Sequence, residues 1–299
     1  MKFNGIMPAL VTPLNADESV NVTVLEGLIE GLLAEGAEGF YVGGATGEGL
    51  ALRVGERKIL AEAAIATTRG RVPSIVQVAS TDLSAAIELA KHAESVGAAA
   101  VSATPPLFFQ YDEDDVYNYY KTLADAVHIP LMIYYNPGAG FAMNAKFAAR
   151  MFEVDNVTAI KWTSSDYFQM MMVKELTHGE MNVINGPDEM LLMGLAAGAD
   201  GGIGTTYNFM LEIIRNIYDN FTRGAINEAR EWQYKAARII TELKKFPTIP
   251  ATKAILTAMG IDVGLSTAPM KRLTGEETER LLKLVSGAGL DLSKKTFRK

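Results

Sequence analysis

The chain has 299 residues, enough for two small domains or for one α/β barrel, which commonly takes about 250 residues. Its 28 Lys and Arg against 35 Asp and Glu give a net charge of −7, which argues against a nucleic-acid or anionic-membrane surface. The absence of cysteine excludes disulfide scaffolds, thiolate metal sites and cysteine nucleophiles. The first residues show neither a long apolar run nor a cleavage site, so we expect a cytoplasmic protein.

Eight short apolar segments recur along the first two thirds of the chain, each followed by a helix-like stretch. They are nearly continuous in apolar character, which is typical of parallel strands buried on both faces. The predicted strands begin near Ile6, Phe40, Ile75, Ala99, Leu131, Thr158, Asn182 and Gly202. Eight strand–helix units favour an α/β fold of the (β/α)8 TIM-barrel type over an open doubly wound sheet, which usually has about five or six strands.

Strand signals stop after residue 208, and three further helical stretches follow. The pattern predicts helices over about residues 225–245, 251–259 and 276–285, with Pro247 and Pro250 separating the first from the second. We therefore predict a barrel over residues 1–222 and a C-terminal helical extension over residues 223–299 that packs on the barrel.

The segment after the second predicted strand, residues 43–49, is rich in glycine. In a barrel of this kind the active site lies at the C-terminal ends of the strands. Glycines let the backbone approach a ligand closely, and successive N–H groups with the Thr46 hydroxyl suit a carboxylate or a phosphate. A tight turn with a helix cap explains the same residues equally well. The segment is not a P-loop, because no Gly-Lys-Ser/Thr follows.

The sixth predicted strand carries Lys161 between apolar residues near its C-terminal end. Burial in an apolar barrel mouth favours the neutral form of a lysine amine, which can attack a ketone and form a Schiff base. The alternative is a lysine that extends from the strand end to water or to a carboxylate. On the neighbouring fifth strand, Tyr134 and Tyr135 offer a phenol for proton transfer, although such tyrosines are usually core residues.

Two acidic residues, Asp188 and Glu189, follow the seventh predicted strand. Paired carboxylates can bind a metal, act as acid and base, or hydrogen-bond a polyol, and a helix cap is the simpler alternative. Metal binding is not expected, because the three histidines are scattered over predicted helices without the spacing of a ligand pair.

Three motifs occur in an order that resembles the dihydrodipicolinate synthase and N-acetylneuraminate lyase family of class I pyruvate-dependent aldolases. They are Gly-Gly-x-Thr-Gly-Glu at 43–48, Tyr-x-x-Pro at 134–137 and Ile-Lys-x-Thr-Ser at 160–164. The resemblance runs from about residue 3 into the C-terminal helices. It implies that Lys161 forms the Schiff base, Tyr134 relays the proton, and Thr46 with Gly47 holds the pyruvate carboxylate.

The lyase branch of the family is the more similar. Segments 185–189 and 198–208 look like lyase sequences, whereas Gly138–Phe141 lacks the arginine that synthases place after Tyr-x-x-Pro. The resemblance implies cleavage of N-acetylneuraminate to N-acetylmannosamine and pyruvate by a homotetramer without metal or organic cofactor. The expected substrate-binding residues are Ala45, Thr46, Gly47, Thr163, Gly186, Asp188, Glu189 and Thr205, beside the catalytic Lys161 and Tyr134.

Two positions depart from the family pattern. Ala45 stands where a hydroxyl residue usually precedes the threonine. The interprotomer tyrosine that the family has after the Thr-Pro of the fourth strand is absent, because Thr104-Pro105 leads to Pro-Leu-Phe-Phe at 106–109 and Tyr111 is the nearest phenol. An aldolase for a related 2-keto-3-deoxy acid, a synthase-like enzyme and a non-catalytic sugar-acid binder therefore stay open. So do a phosphate-binding barrel enzyme that uses the glycines at 201–204 and a pyridoxal phosphate enzyme.

Overall fold

The structure is a computed structural model that describes residues 2–293, and its centre is a sheet of eight parallel strands. The strands are β1 (Gly5–Pro8), β2 (Phe40–Val42), β3 (Ser74–Gln77), β4 (Ala100–Ala103), β5 (Leu131–Tyr135), β6 (Val157–Trp162), β7 (Asn182–Asn185) and β8 (Gly201–Gly204). The strand order is β1-β8-β7-β6-β5-β4-β3-β2, and a parallel bridge between Ala9 and Tyr41 joins β1 to β2. The predicted TIM barrel is confirmed.

A helix follows each strand and covers the outside of the barrel. These helices are α1 (Val22–Ala34), α2 (Val54–Thr68), α3 (Leu83–Ser95), α4 (Glu113–Asp125), α5 (Ala145–Met151), α6 (Tyr167–Leu176), α7 (Leu191–Ala196) and α8 (Tyr207–Thr222). Two short 3₁₀ helices, Pro137–Ala139 and Asp188–Met190, lie in the loops after β5 and β7. The amphipathic spacing of α1 buries Leu25, Leu28, Ile29 and Leu32 on one side.

Three more helices form the C-terminal segment: α9 (Ile226–Leu243), α10 (Thr248–Ala258) and α11 (Gly275–Gly287). Helix α9 packs along α8 and also contacts α11 and the 3₁₀ helix after β7. The division at residue 222 stays a prediction, and the last six residues of the predicted extension lie outside the described residues. Within the described residues, no helix is long and apolar enough to cross a membrane.

Two apolar clusters occupy the two sides of the strands. Side chains such as Met7, Ile75, Met132 and Ile203 fill the barrel interior, while a larger cluster lies between the strands and the helices. Because successive residues of a strand point to opposite faces, β1 to β7 each contribute to both clusters, whereas β8 contributes Ile203 to the inner one. The inner cluster ends below the C-terminal ends of the strands, where polar side chains take its place.

Candidate active site

The candidate residues lie at the C-terminal ends of five strands and in the loops that follow. Parallel strands of a closed barrel all end on one face, so residues far apart in sequence meet there. Lys161 and Thr163 come from β6 and its end, Tyr134 from β5, Ala45, Thr46 and Gly47 from the loop after β2, Gly186, Asp188 and Glu189 from the loop after β7, and Thr205 from the end of β8.

Lys161 lies inside the barrel on β6, with only 6% of its surface exposed. Strand pairing sets it opposite Tyr134 on β5. Its Nζ atom lies 3.9 Å from the centroid of the Tyr134 ring and 5.2 Å from that of the Tyr41 ring. The positive charge of Lys161 lowers the pKa of the Tyr134 phenol against the opposing effect of burial. The Lys161 amine therefore shares one largely apolar compartment with the Tyr134 phenol, whose pKa is lowered.

Tyr135 points the opposite way from Tyr134. Its ring packs on Trp162 with 4.5 Å between centroids, in the cluster between the strands and the helices, whereas Tyr134 belongs to the inner cluster. Alternation along β5 gives this difference, since adjacent residues of a strand face opposite sides of the sheet. Of the two tyrosines on β5, Tyr134 is therefore the one that contacts Lys161.

The loop after β2 forms a tight turn over residues 43–49, which we call the glycine turn. A Cβ atom at Gly47 would lie 2.9 Å from the Leu10 carbonyl oxygen, and one at Gly49 only 1.8 Å from the Gly43 carbonyl oxygen. Side chains are therefore excluded at both positions, which explains why glycine occupies them. The Thr12 hydroxyl donates to the Gly47 carbonyl oxygen at 2.6 Å and fixes the turn to the end of β1.

The glycine turn presents polar groups to the barrel mouth. Thr46 is buried, and its Oγ1 atom lies 2.7 Å from Oγ1 of Thr205, whereas Ala45 is exposed. In the part of the chain that the structure describes, the backbone N–H groups of Thr46 and Gly47 have no hydrogen-bond partner. Two adjacent free N–H groups beside two hydroxyls are chemically suited to hold a carboxylate.

Asp188 is buried and bonded within the protein. Its Oδ2 atom accepts from the Thr206 N–H at 2.8 Å and from the Thr206 hydroxyl at 2.7 Å, so it holds the residue that precedes α8. Burial raises the pKa of Asp188 to about 6, while the two bonds from Thr206 oppose the shift. A Cβ atom at Gly204 would lie 2.1 Å from Oδ1 of Asp188, so glycine is required there.

Asp188 and Glu189 line an open cavity of about 450 Å³ at the mouth of the barrel. Glu189 is half-buried and pairs with Lys244, which follows α9. Thr163 and Gly186 also line this cavity, and a Cβ atom at Gly186 would lie 2.0 Å from the Thr163 hydroxyl. The cavity therefore combines acidic, basic and hydroxyl groups, which suits a polyhydroxylated molecule.

Three contacts at this site involve residues that the sequence analysis did not single out. Thr12 holds the glycine turn, Thr206 bonds Asp188, and Lys244 pairs with Glu189. Each partner is distant in sequence from the motif it supports, and a threonine or a lysine at a helix end resembles an ordinary solvated residue. Among residues 2–293, no three His, Asp or Glu side chains gather closely enough to hold a metal ion.

The model of the dihydrodipicolinate synthetase family matches residues 2–288. The chain is 34% identical over 286 residues to the N-acetylneuraminate lyase of Rhizobium meliloti, covering 96% of this chain and 95% of that protein. It is 29% identical over 287 residues to the 4-hydroxy-tetrahydrodipicolinate synthase of Oceanobacillus iheyensis, covering 96% and 97%. The solved structure of Proteus mirabilis N-acetylneuraminate lyase superposes with a TM-score of 0.92 at 29% identity, covering 97% of this chain and all of that one.

These matches span both named activities of one family and nearly the whole length of each protein. They agree with the barrel and with the order of motifs around Lys161. The chain therefore belongs to the dihydrodipicolinate synthetase family and is a pyruvate-dependent aldolase of the carbon–carbon lyase class.

Proposed function

We propose that this enzyme reversibly cleaves an open-chain 2-keto-3-deoxy sugar acid, with N-acetylneuraminate giving N-acetylmannosamine and pyruvate as the leading reaction. The observation that carries the proposal is the buried Lys161 amine in strand register with Tyr134, its Nζ atom 3.9 Å from the phenol ring. The similarity to proteins named N-acetylneuraminate lyase supports the choice of substrate.

Lys161 supplies the nucleophile in this scheme. Its neutral amine attacks the C2 ketone, the ketone oxygen leaves as water, and an iminium forms. The iminium accepts the electron pair of the C3–C4 bond as that bond breaks. Tyr134 helps to remove the proton of the C4 hydroxyl, so that C4 becomes the aldehyde carbon of N-acetylmannosamine. The remaining enamine takes a proton at C3, and water then releases pyruvate and restores the amine.

The glycine turn holds the carboxylate next to the keto group throughout this cycle. The N–H groups of Thr46 and Gly47 are suited to donate to the carboxylate oxygens, with the paired hydroxyls of Thr46 and Thr205 beside them. Ala45 supplies no hydroxyl at the edge of the turn, so the chain of hydroxyls is shortened by one member. Thr163 and Gly186 shape the adjoining wall of the cavity.

The distal hydroxyls of the substrate would meet Asp188, Glu189 and Thr205. Asp188 already accepts two hydrogen bonds from Thr206, and Glu189 already pairs with Lys244. Fewer lone pairs are then free for a long polyol chain, and this observation favours a shorter 2-keto-3-deoxy sugar acid as the second candidate substrate.

A pyruvate-release assay over a panel of 2-keto-3-deoxy acids of different chain length tests the proposal. We expect N-acetylneuraminate to show the highest kcat/KM in the panel. A shorter acid with the highest kcat/KM would keep the mechanism and change the substrate. Binding of these acids without pyruvate release from any of them would contradict the proposed reaction.

We further propose that the enzyme acts as a cytoplasmic homotetramer and needs no metal or organic cofactor. Phe108 and Phe109 support an oligomer, because both are exposed large apolar side chains on the loop after β4. Light scattering on the purified protein measures the mass of the assembly, and a monomer in solution would contradict this part of the proposal.

A further inference from the structure

The glycine turn contains one residue in a disfavoured backbone conformation. Glu48 has a φ of +58°, in the left-handed region that few residues other than glycine adopt. It lies between Gly47 and Gly49, the two positions of this turn where a Cβ atom would clash with the backbone. A strained residue persists where the surrounding structure fixes it. The contacts of the Glu48 side chain show what fixes it here.

The Glu48 carboxylate leaves the turn and enters the C-terminal helical segment. Its Oε2 atom accepts from the Thr267 N–H at 2.6 Å and from the Thr267 hydroxyl at 2.9 Å, and its Oε1 atom lies 2.7 Å from Nζ of Lys253 on α10. Lys253 also donates to the Leu265 carbonyl oxygen at 2.9 Å. Oε2 is therefore hydrogen-bonded and Oε1 is held by the ion pair, and both partners come from beyond residue 250.

The Glu48–Lys253 ion pair is shielded from water. The Glu48 side chain is fully buried and the Lys253 side chain is 2% exposed. Burial lowers the pKa of Lys253, which the negative charge of Glu48 opposes. An ion pair at such a depth adds little net stability over apolar packing, but losing one partner leaves an uncompensated buried charge. Here the pair also connects the glycine turn to α10.

We propose that Lys253 and Thr267 are positioning residues for substrate binding, which act through Glu48 to aim the N–H groups of Thr46 and Gly47 at the substrate carboxylate. The inference rests on the proposed function in so far as the glycine turn binds pyruvate. It assigns the C-terminal helical segment a part in the active site, although neither residue touches the substrate. Without this contact, the left-handed residue is free to relax and the two N–H groups diverge.

The test is pyruvate titration of borohydride trapping, read as the fraction of protein that gains the reduced adduct. In Lys253→Met, we expect the half-saturating pyruvate concentration to rise about tenfold or more, because the displaced N–H groups of Thr46 and Gly47 no longer donate well to the pyruvate carboxylate. At saturating pyruvate the adduct should still form on Lys161 to the wild-type extent. A purely structural role would lower thermal stability and leave the half-saturating concentration unchanged.

A matched control is Lys174→Met, which breaks a partly buried ion pair with Asp200, 2.6 Å away, beside the N-terminal end of β8. It should lower stability without changing the pyruvate titration. If Lys253→Met does not fold, Thr267→Val replaces it, and we expect a rise of about 2- to 10-fold from the lost hydroxyl. If the half-saturating pyruvate concentration is unchanged in a variant that folds, this inference is wrong and the proposed function still holds. If the wild type does not trap pyruvate, the proposed function itself is wrong.

Discussion

The two ends of the active site both depend on a lysine from the C-terminal helical segment, but the two ion pairs differ in burial. At the pyruvate end, the side chains of Glu48 and Lys253 are at most 2% exposed. At the distal end, Lys244 is 56% and Glu189 34% exposed. Breaking a buried pair costs about 3–5 kcal/mol, whereas an exposed pair contributes about 0–1 kcal/mol. The end that we propose to bind the pyruvate unit is therefore fixed, and the end that we propose to contact the variable chain is adaptable.

The largest effect is expected at the fixed end, from removal of the proton-transfer group. Tyr134→Phe should lower kcat by about 100- to 10,000-fold, because we propose that the phenol moves a proton in the chemical step. Pyruvate trapping on Lys161 should remain, because pyruvate forms the imine without cleavage of a C3–C4 bond, the step in which the phenol is proposed to act. Steady-state cleavage and adduct mass measure the two effects.

Tyr135→Phe is the control for that prediction. Its ring lies outside the barrel against Trp162, so kcat should change little. If Tyr135→Phe proved the slower enzyme, the β5 register would be wrong by one residue, and every side chain of the strand would face the other way.

The adaptable end should discriminate between substrates. Glu189→Gln and Asp188→Asn should each lower kcat/KM for the sugar acid by about 10- to 150-fold, while pyruvate trapping stays near the wild-type value, because pyruvate has no chain to reach these residues. Lys244→Met is the companion variant and should alter only the sugar-acid kinetics. Equal losses for trapping and cleavage would mean that the two acids serve only as structural residues.

Asp188 should also make stability depend on pH. Its pKa is raised to about 6 in the fold, so the neutral carboxyl is favoured. That contribution is complete below the unfolded value of about 4 and is lost as the pH rises through about 6. Relative to Asp188→Asn, the wild type should lose about 2 kcal/mol between pH 4 and pH 7. Urea unfolding of both proteins measures this, and a constant difference across that range would contradict the buried assignment.

The smallest effect is expected from chelation. Because the proposed electron sink is the Lys161 iminium, exhaustive treatment with EDTA should leave kcat unchanged. Loss of activity that zinc or magnesium restores would mean that a metal ion stabilises the enolate instead.

The fold could be predicted from the sequence because each strand is a continuous apolar run with a clear end. The ends of β5 and β6 also predict the meeting of Tyr134 and Lys161, since adjacent parallel strands set both at the same height. Alternation along β5 predicts that one of Tyr134 and Tyr135 faces the barrel interior, but it does not predict which one. The Tyr-x-x-Pro motif of the family identifies Tyr134.

The supporting contacts of the site could not be predicted in the same way. Glu48 belongs to a motif, but its partner Thr267 is 219 residues further along the chain, and no periodic pattern links the two. The sequence predicts that Asp188 lies at the barrel mouth. Its hydrogen bonds from Thr206, however, depend on the close approach of β7 and β8 at Gly204. Such contacts follow from packing between elements, which local sequence does not encode.

The central claim is that the buried lysine on β6 forms the covalent intermediate, and borohydride reduction in the presence of pyruvate tests it most directly. Reduction turns the imine into a stable secondary amine, so peptide mass spectrometry identifies the modified residue. The adduct should appear on Lys161 and be absent from Lys161→Met. An adduct that persists in this variant, or that forms mainly on Lys253 or another lysine, would contradict the assignment.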